Sequence, residues 1–105
     1  MAAKGACVVC QIITGNIPSK KVYEDDLVMA VLDVNGANPG HCFVMPKNHY
    51  PIIEQVPDIE IGRLFQASNK ISSAIFESLG AQGTNIFVAN GVPAGQTVAH
   101  FTINV

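Results

Sequence analysis

The sequence is short of charge, and this shortage narrows the possible functions. Charged residues make up 13% of the 105 residues and hydrophobic residues 49%, whereas ordinary domains carry about 25% charged residues. Two interpretations fit this balance: a compact domain with a well-filled core, or a subunit that hides an apolar face in an oligomer. The net charge is −2 and no run of Lys or Arg occurs, so binding to a nucleic-acid backbone has little electrostatic support.

Long apolar runs and a cysteine framework are missing as well. The longest apolar stretch falls far short of the roughly 20 residues that a membrane-spanning helix needs. Residues 1–6 contain one lysine and no apolar segment, so they do not resemble a signal peptide. Three cysteines, an odd number, do not suit a set of structural disulfides. Together with a length typical of one domain, these absences predict a single cytoplasmic domain over residues 1–105 that does not associate with membranes.

Short apolar segments separated by turn residues predict an α+β fold. The expected strands cover residues 22–24, 28–32, 41–45, 84–89 and 98–105. The first two flank the charged turn Asp25-Asp26 and should pair antiparallel, and Pro46 should stop the third. One helix should begin after Pro57 and end at Gly80. Its apolar stripe comprises Ile61, Leu64, Phe65, Ser68, Ile71, Ile75 and Leu79.

The last predicted strand has an alternating pattern, and side chains alternate between the two faces of a strand. One face holds Ala99, Phe101, Ile103 and Val105 and is predicted to enter the core. The other face is more polar and presents His100, Thr102 and Asn104 side by side.

Two cysteines near the N-terminus are spaced as a metal-binding pair. Cys7 and Cys10 are separated by two residues, so two thiolates can bind one metal from a single turn of the chain. The same spacing fits a redox pair or two small buried hydrophobic residues. A tetrahedral zinc site would need two more ligands, for which His49 and His100 are available.

A longer string carries a more specific signal. Residues 40–49 read Gly-His-Cys-Phe-Val-Met-Pro-Lys-Asn-His and resemble the Gly-His-x-x-Val-x-Pro-Lys-x-His segment of the histidine triad (HIT) family. Residues 94–105 resemble the family's C-terminal signature, in which three histidines alternate with apolar residues. The resemblance implies a five-stranded antiparallel sheet with one long helix packed on it. It also implies a homodimer formed through that helix and a neighbouring strand, and hydrolysis or transfer at the α-phosphate of a nucleotide.

The resemblance also assigns roles to individual residues. It implies a structural zinc held by Cys7, Cys10, His49 and His100, and a role for His41 in supporting the catalytic histidines. It implies that Asp33 binds the ribose and that Val8, Val9, Ile12, Val31, Val34 and Phe43 surround a purine base. It implies that Asn90, Gly91, Gly95, Gln96 and Thr97 bind the phosphate. Without the resemblance, Asp33 is a turn-capping residue, the apolar residues are core, and the glycine-rich segment is a loop.

The chain departs from the family pattern at the chemically decisive position. Thr102 occupies the place of the middle, nucleophilic histidine, and Asn104 occupies the place of the third. A threonine hydroxyl needs a general base to become a nucleophile, and an asparagine cannot act as one. The sequence therefore predicts a nucleotide-binding protein whose activity is reduced or lost. Two alternatives stay open: a zinc-stabilised interaction scaffold that binds no nucleotide, and an enzyme that works through His100 or His41. The sequence ends at Val105, before the Pro-Arg and tail expected of the family.

Overall fold

A computed structural model describes residues 7–32, 41–80, 82–94 and 100–105. Within these residues, a four-stranded antiparallel sheet has the order β1-β2-β3-β4. Its strands are β1 (Lys21–Glu24), β2 (Val28–Leu32), β3 (Cys42–Pro46) and β4 (Ile103–Asn104). The helices are α1 (Val8–Thr14) and α2 (Asp58–Leu79), and short 3-10 turns cover Ile53–Gln55 and Val92–Ala94. No helix in the described part of the chain has both the length and the apolar character needed to cross a bilayer.

The central strand β2 is buried on both faces, because the sheet carries a helix on each side. Val28 and Ala30 point into a core that they share with α2, and Met29 and Val31 point into a second core beside α1. This alternation follows from the two-residue period of a strand. The two cores place α1 and α2 on opposite faces of the sheet.

The turn between β1 and β2 is built around Asp25. Its carboxylate accepts hydrogen bonds from the backbone N–H groups of Leu27 and Val28 at 2.8 and 2.9 Å and from the Tyr23 hydroxyl at 2.7 Å. Burial raises the pKa of Asp25, but these three hydrogen bonds and the nearby Arg63 outweigh burial and hold the pKa well below its usual range. The charged turn predicted from the sequence is therefore a specific hydrogen-bonded structure.

The long helix α2 matches the predicted bounds. Pro57 is the N-cap residue, and Gly80 ends the helix with φ 64°, a left-handed conformation that suits glycine. Asp58 and Glu60 lie in the first turn, where acidic side chains interact favourably with the helix dipole. The predicted apolar stripe is only partly buried: Leu64, Ser68 and Ile71 are in the core, whereas Phe65 and Leu79 are 41% and 55% exposed.

Four features differ from the expected layout. The second helix, α1, was not predicted, because it has only seven residues and is capped by the Cys7 thiol. The strand expected over 84–89 contributes a single antiparallel bridge, from Phe87 to Asn104. Residues 98 and 99 of the last predicted strand lie outside the described residues, and the ladder itself covers Ile103–Asn104. The third strand was expected over residues 41–45, with Pro46 just after its end. In the structure β3 covers Cys42–Pro46, so Pro46 is its last residue.

Candidate functional site

Helix α1 presents two thiols at its N-terminal end. Cys7 is the N-cap residue, and its Sγ accepts a hydrogen bond from the backbone N–H of Cys10 at 3.4 Å. This geometry brings the two cysteines to the same end of the helix, because a cap residue and the residue three positions later meet there. Both cysteines are buried.

Two histidines from distant parts of the chain complete a four-residue cluster. His49 follows the turn after β3, and His100 precedes β4. Nδ1 of His100 lies 3.5 Å from Sγ of both Cys7 and Cys10, and Nδ1 of His49 lies 3.2 Å from Sγ of Cys10. The two Nδ1 atoms are 3.2 Å apart. All four donor atoms lie within 4.8 Å of one another.

This donor set fits a tetrahedral zinc ion. With Zn–S near 2.3 Å and Zn–N near 2.0–2.1 Å, the ligand atoms of a tetrahedron stand about 3.3–3.8 Å apart. Four of the six distances between the donor atoms are 3.2–3.5 Å, close to that range, and all six are within 4.8 Å. Two sulfurs and two imidazole nitrogens are also a common donor set of closed structural zinc sites. Cys7, Cys10, His49 and His100 can therefore hold a metal ion, as the sequence predicted.

The ring of His100 is oriented by a partner outside the cluster. Its Nε2 donates a hydrogen bond to the carbonyl oxygen of Pro46 at 3.0 Å, which leaves the Nδ1 lone pair facing the thiols. Burial lowers the pKa of His100; the Pro46 carbonyl opposes this effect and the charge of His49 adds to it. The lowered pKa favours the neutral imidazole, which is the form that binds a metal. By contrast, the buried Nε2 of His49 meets no hydrogen-bond partner among the described residues.

The positions of the triad separate into two environments. His100 is completely buried in the Cys/His cluster, whereas Thr102 and Asn104 are half-buried. His41 lies beside Asn104: its Nε2 is 3.2 Å from Oδ1 of Asn104, and its ring centroid is 5.3 Å from that of Phe43. Phe101 and Ile103 enter the core, as the alternating pattern predicted. The structure therefore brings His41, Phe43 and Asn104 together and directs His100 to the metal cluster.

The remaining predicted nucleotide-binding residues are only partly described. Asn90 uses both ends of its amide: Oδ1 accepts from the backbone N–H of Ile53 at 2.9 Å, and Nδ2 donates to Glu54 at 2.8 Å. Asn90 thus fastens the 3-10 turn that follows His49. Among the other predicted contacts, Asp33, Val34, Gly95, Gln96 and Thr97 lie outside the described residues.

Sequence reasoning missed the Pro46 carbonyl and the Glu54 carboxylate. A backbone carbonyl carries no residue-type signal, so only its position after folding identifies it as the support for His100. The pairing of Glu54 with Asn90 joins residues 36 positions apart, for which a single sequence has no marker.

Comparison with known proteins identifies the family. A profile described as the HIT domain matches residues 14–103. The chain belongs to the HIT family. An adenylylsulfatase of Arabidopsis thaliana is 38% identical over 99 residues, which cover 94% of this chain and 50% of that protein. An adenosine 5′-monophosphoramidase of Schizosaccharomyces pombe is 30% identical over 100 residues, covering 95% of this chain and 72% of that protein. This HIT domain thus spans only half the length of the Arabidopsis relative.

Solved structures agree with this assignment. A HIT family member from Bacillus subtilis superposes with a TM-score of 0.89 at 40% identity, covering 93% of this chain and 70% of the other. A Zn-bound histidine triad family protein from Mycobacterium smegmatis superposes with a TM-score of 0.93 at 32% identity, covering 98% and 75%. The predictions of the family and of a Cys/His cluster able to hold a metal are confirmed.

Proposed function

We propose that this HIT domain binds a purine nucleotide and that its hydrolytic activity at the α-phosphate is reduced or absent. One observation carries the second half of the proposal. Both ring nitrogens of His100 are engaged, Nε2 by the Pro46 carbonyl and Nδ1 by the Cys/His cluster. The one histidine of the triad positions therefore has no lone pair available to attack phosphorus, and the residue at the nucleophile position is Thr102.

The nucleotide half of the proposal is supported by the relatives and by the residues around position 102. Two relatives have enzyme names that refer to adenylyl sulfate and adenosine phosphoramidate, both adenylyl compounds. Thr102 and Asn104 can each supply a hydrogen-bond donor to a phosphate oxygen, and His41 would support Asn104. Asp33 would bind the ribose, and Gly95, Gln96 and Thr97 would contact the phosphate. Phe43, beside the ring of His41, and Val34 would lie against the base, and Asn90 would support this side of the site.

The metal has a structural role in this proposal. Zinc bound by the cluster would supply a cross-link between α1, the turn after β3 and the approach to β4. The protein residues set the geometry: Cys7 and Cys10 come from one helix end, and the Pro46 carbonyl fixes the ring of His100. The cross-link would hold Thr102 in place, because His100 is two residues away in the chain.

Loss of the nucleophile has a large expected effect on turnover. Removing a nucleophile costs on the order of 10⁴ to 10⁶ in rate, and the residual rate comes from binding and oriented dipoles. A threonine hydroxyl would have to lose its proton to attack, Asn104 cannot accept that proton, and His41 is hydrogen-bonded to Asn104. Binding can survive this loss, since most of the proposed nucleotide contacts lie outside positions 102 and 104.

The decisive experiment measures release of AMP from adenosine 5′-phosphoramidate, the compound class named for one relative. We expect no turnover by the native chain and a gain of activity in the double variant Thr102→His, Asn104→His. Thr14→His is the matched control, because it adds an imidazole at an exposed site on α1. Useful turnover by the native chain would contradict the proposal, and trapping of a nucleotidyl-histidine at His41 would then assign the chemistry to that residue.

Nucleotide binding is tested separately by calorimetric titration with AMP. Asp33→Ala should weaken binding, because it removes the proposed acceptor for the ribose hydroxyls. Asp26→Ala is the control: its side chain is 77% exposed and forms a surface ion pair with Arg63. Equal affinity of the two variants would count against the role of Asp33.

The exposed apolar residues favour a homodimer. Phe65 and Phe76 on α2 and Ile86 and Phe87 in the segment beside β4 are all 41–52% exposed. Phe87 bridges Asn104 at the sheet edge opposite β1, so pairing with a second copy would extend residues 84–89 into the fifth strand. Light scattering should give twice the 11.1 kDa mass of the chain. Phe87→Glu should give monomers, whereas Val22→Glu on the opposite edge should not.

The same exposed residues favour the second candidate function, a zinc-stabilised interaction scaffold. Apolar surface grouped on one helix and the adjoining segment is typical of a protein interface. Absence of AMP binding by a folded, zinc-loaded dimer would establish this function in place of the first.

A further inference from the structure

The apolar stripe of helix α2 extends beyond the core that it helps to form. Ile71, Ala74, Ile75, Ser78 and Leu79 follow one another at helical spacing and face one side. Ile71 is buried, but Ala74 and Ser78 are exposed and Leu79 is 55% exposed. The last two turns of the stripe therefore lie against open space.

This space is a groove with the sheet as its second wall. Val22, Leu32 and Cys42 from β1, β2 and β3 line that wall, and the groove has a volume of about 320 Å³. Ligand pockets usually have volumes of about 300–1,000 Å³, so the groove is large enough for a small molecule. Cys42 belongs to the core on the α2 side, so the groove lies on the sheet face opposite the Cys/His cluster.

A single unpaired cation stands at the rim of this groove. Nζ of Lys70 lies 5.8 Å from the centroid of the Tyr23 ring and has no salt bridge with a described carboxylate. Lys47 and Arg63, in contrast, each pair with acidic groups of the β1–β2 region. No Asp or Glu is among the described residues that line the groove. The groove defined by its described residues is thus apolar, with one ammonium group at its edge.

We propose that this groove binds a small amphiphilic anion, such as a medium-chain carboxylate. The apolar chain would lie between the α2 stripe and Val22, where it would remove the exposed surface of Leu79 and Val22 from water. The anionic head would pair with Lys70, whose ammonium can turn from the Tyr23 ring toward the ligand. The small side chains of Ala74 and Ser78 leave the room that the chain of the ligand occupies. The site is separate from the proposed nucleotide site, so either can exist without the other.

Calorimetric titration of the full chain with dodecanoate, below its micelle concentration, tests this proposal. We expect saturable binding at one site per chain. Ala74→Trp should abolish it by filling the groove; position 74 is exposed, so the helix can accept the larger side chain. Lys70→Gln should weaken binding roughly two- to fivefold, the range expected for one exposed ion pair, and Lys70→Arg should restore it. Lys20→Gln, which removes an exposed lysine outside the groove, should have no effect.

Dodecanol separates the role of the charge from that of the apolar chain. Its affinity should be the same for the native chain and for Lys70→Gln, because it has no anionic head. Failure to saturate, or unchanged dodecanoate binding by a folded Ala74→Trp variant, would overturn the proposal. Conversion of a dimer to a monomer by Ala74→Trp would also overturn it, since a second copy of the chain would then be the occupant.

Discussion

Removal of the metal should be the most damaging change to this fold. The cluster joins residues 93 positions apart, from Cys7 to His100, and residues 39 positions apart, from Cys10 to His49. A cross-link that closes a loop of roughly 90 residues stabilises a chain by about 4–5 kcal/mol in the loop-entropy description. Zinc at a thousand times its Kd contributes about 4 kcal/mol by mass action. The loop-entropy description and the mass-action description thus give a similar stabilisation energy.

This stabilisation energy can be expressed as a change in the melting temperature, Tm. In domains of about 100 residues, 1 kcal/mol corresponds to roughly 4–8 °C in Tm. Chelation should therefore lower Tm by roughly 15–30 °C, followed by circular dichroism with zinc content measured by elemental analysis. Cys7→Ala should abolish zinc binding and bring Tm close to that of the chelated native chain.

The chain contains its own control for this experiment. Cys42 is also a buried thiol, but it lies in the α2-side core away from the cluster. Cys42→Ala should lower Tm modestly through lost packing and keep one zinc per chain, and its Tm should still fall on chelation. Protein purified from zinc-replete medium without zinc, or a Tm that chelator changes by less than about 2 °C, would refute the reasoning.

Three further predictions concern single residues. Gly62→Ala should stabilise the chain by about 0.5–1 kcal/mol, because position 62 lies inside α2 with nothing within 4 Å of a new Cβ. Gly80→Ala should destabilise the chain by about 1 kcal/mol, because the φ angle of Gly80 is 64°. Denaturant unfolding measures both changes in the free energy of unfolding. Asp25→Ala should cost about 1–3 kcal/mol at pH 7. The folded pKa of Asp25 is below the unfolded value of about 3.9, so the stabilisation by Asp25 is complete above that value and is lost as pH falls through the folded pKa. The melting temperatures of the variant and the native chain should therefore converge in acid. A difference in melting temperature that widened in acid would contradict this account. His100→Ala should weaken zinc binding about tenfold more than His49→Ala, because among the described residues the ring of His100 has an outer hydrogen-bond partner and that of His49 has none. Competition with a zinc indicator would show equal losses if that partner were unimportant.

Periodicity and end signals were sufficient for the regular elements. The stripe of α2, with Pro57 before it and Gly80 after it, gave the bounds that the structure has. The apolar run of β2 did so too, at Val28–Leu32. Local signals succeed here because each element is long enough, or apolar enough, for its pattern to stand out from the neighbouring turns.

Weak elements could not be predicted in the same way. Helix α1 has seven residues and a thiol cap in place of the usual hydroxyl or carboxylate, so it has little of the common start signal. The segment around Phe87 has β-branched and aromatic residues, but among the described residues it makes a single bridge with Asn104. Its pairing depends on contacts with neighbours that the local sequence does not specify.

The sequence by itself determined the family, the four metal-ligand residues and the absence of histidine at positions 102 and 104, because residue types at fixed spacing carry that information. Tertiary structure alone decided what each imidazole does. Folding directs His100 into the cluster, ties its second nitrogen to Pro46 and places His41 against Asn104. Folding also leaves the last turns of α2 beside an open groove. These outcomes depend on which distant segments of the chain meet. The spacing of residues along the sequence does not specify distances between their atoms, because those atoms come together only when the sheet packs between its two helices.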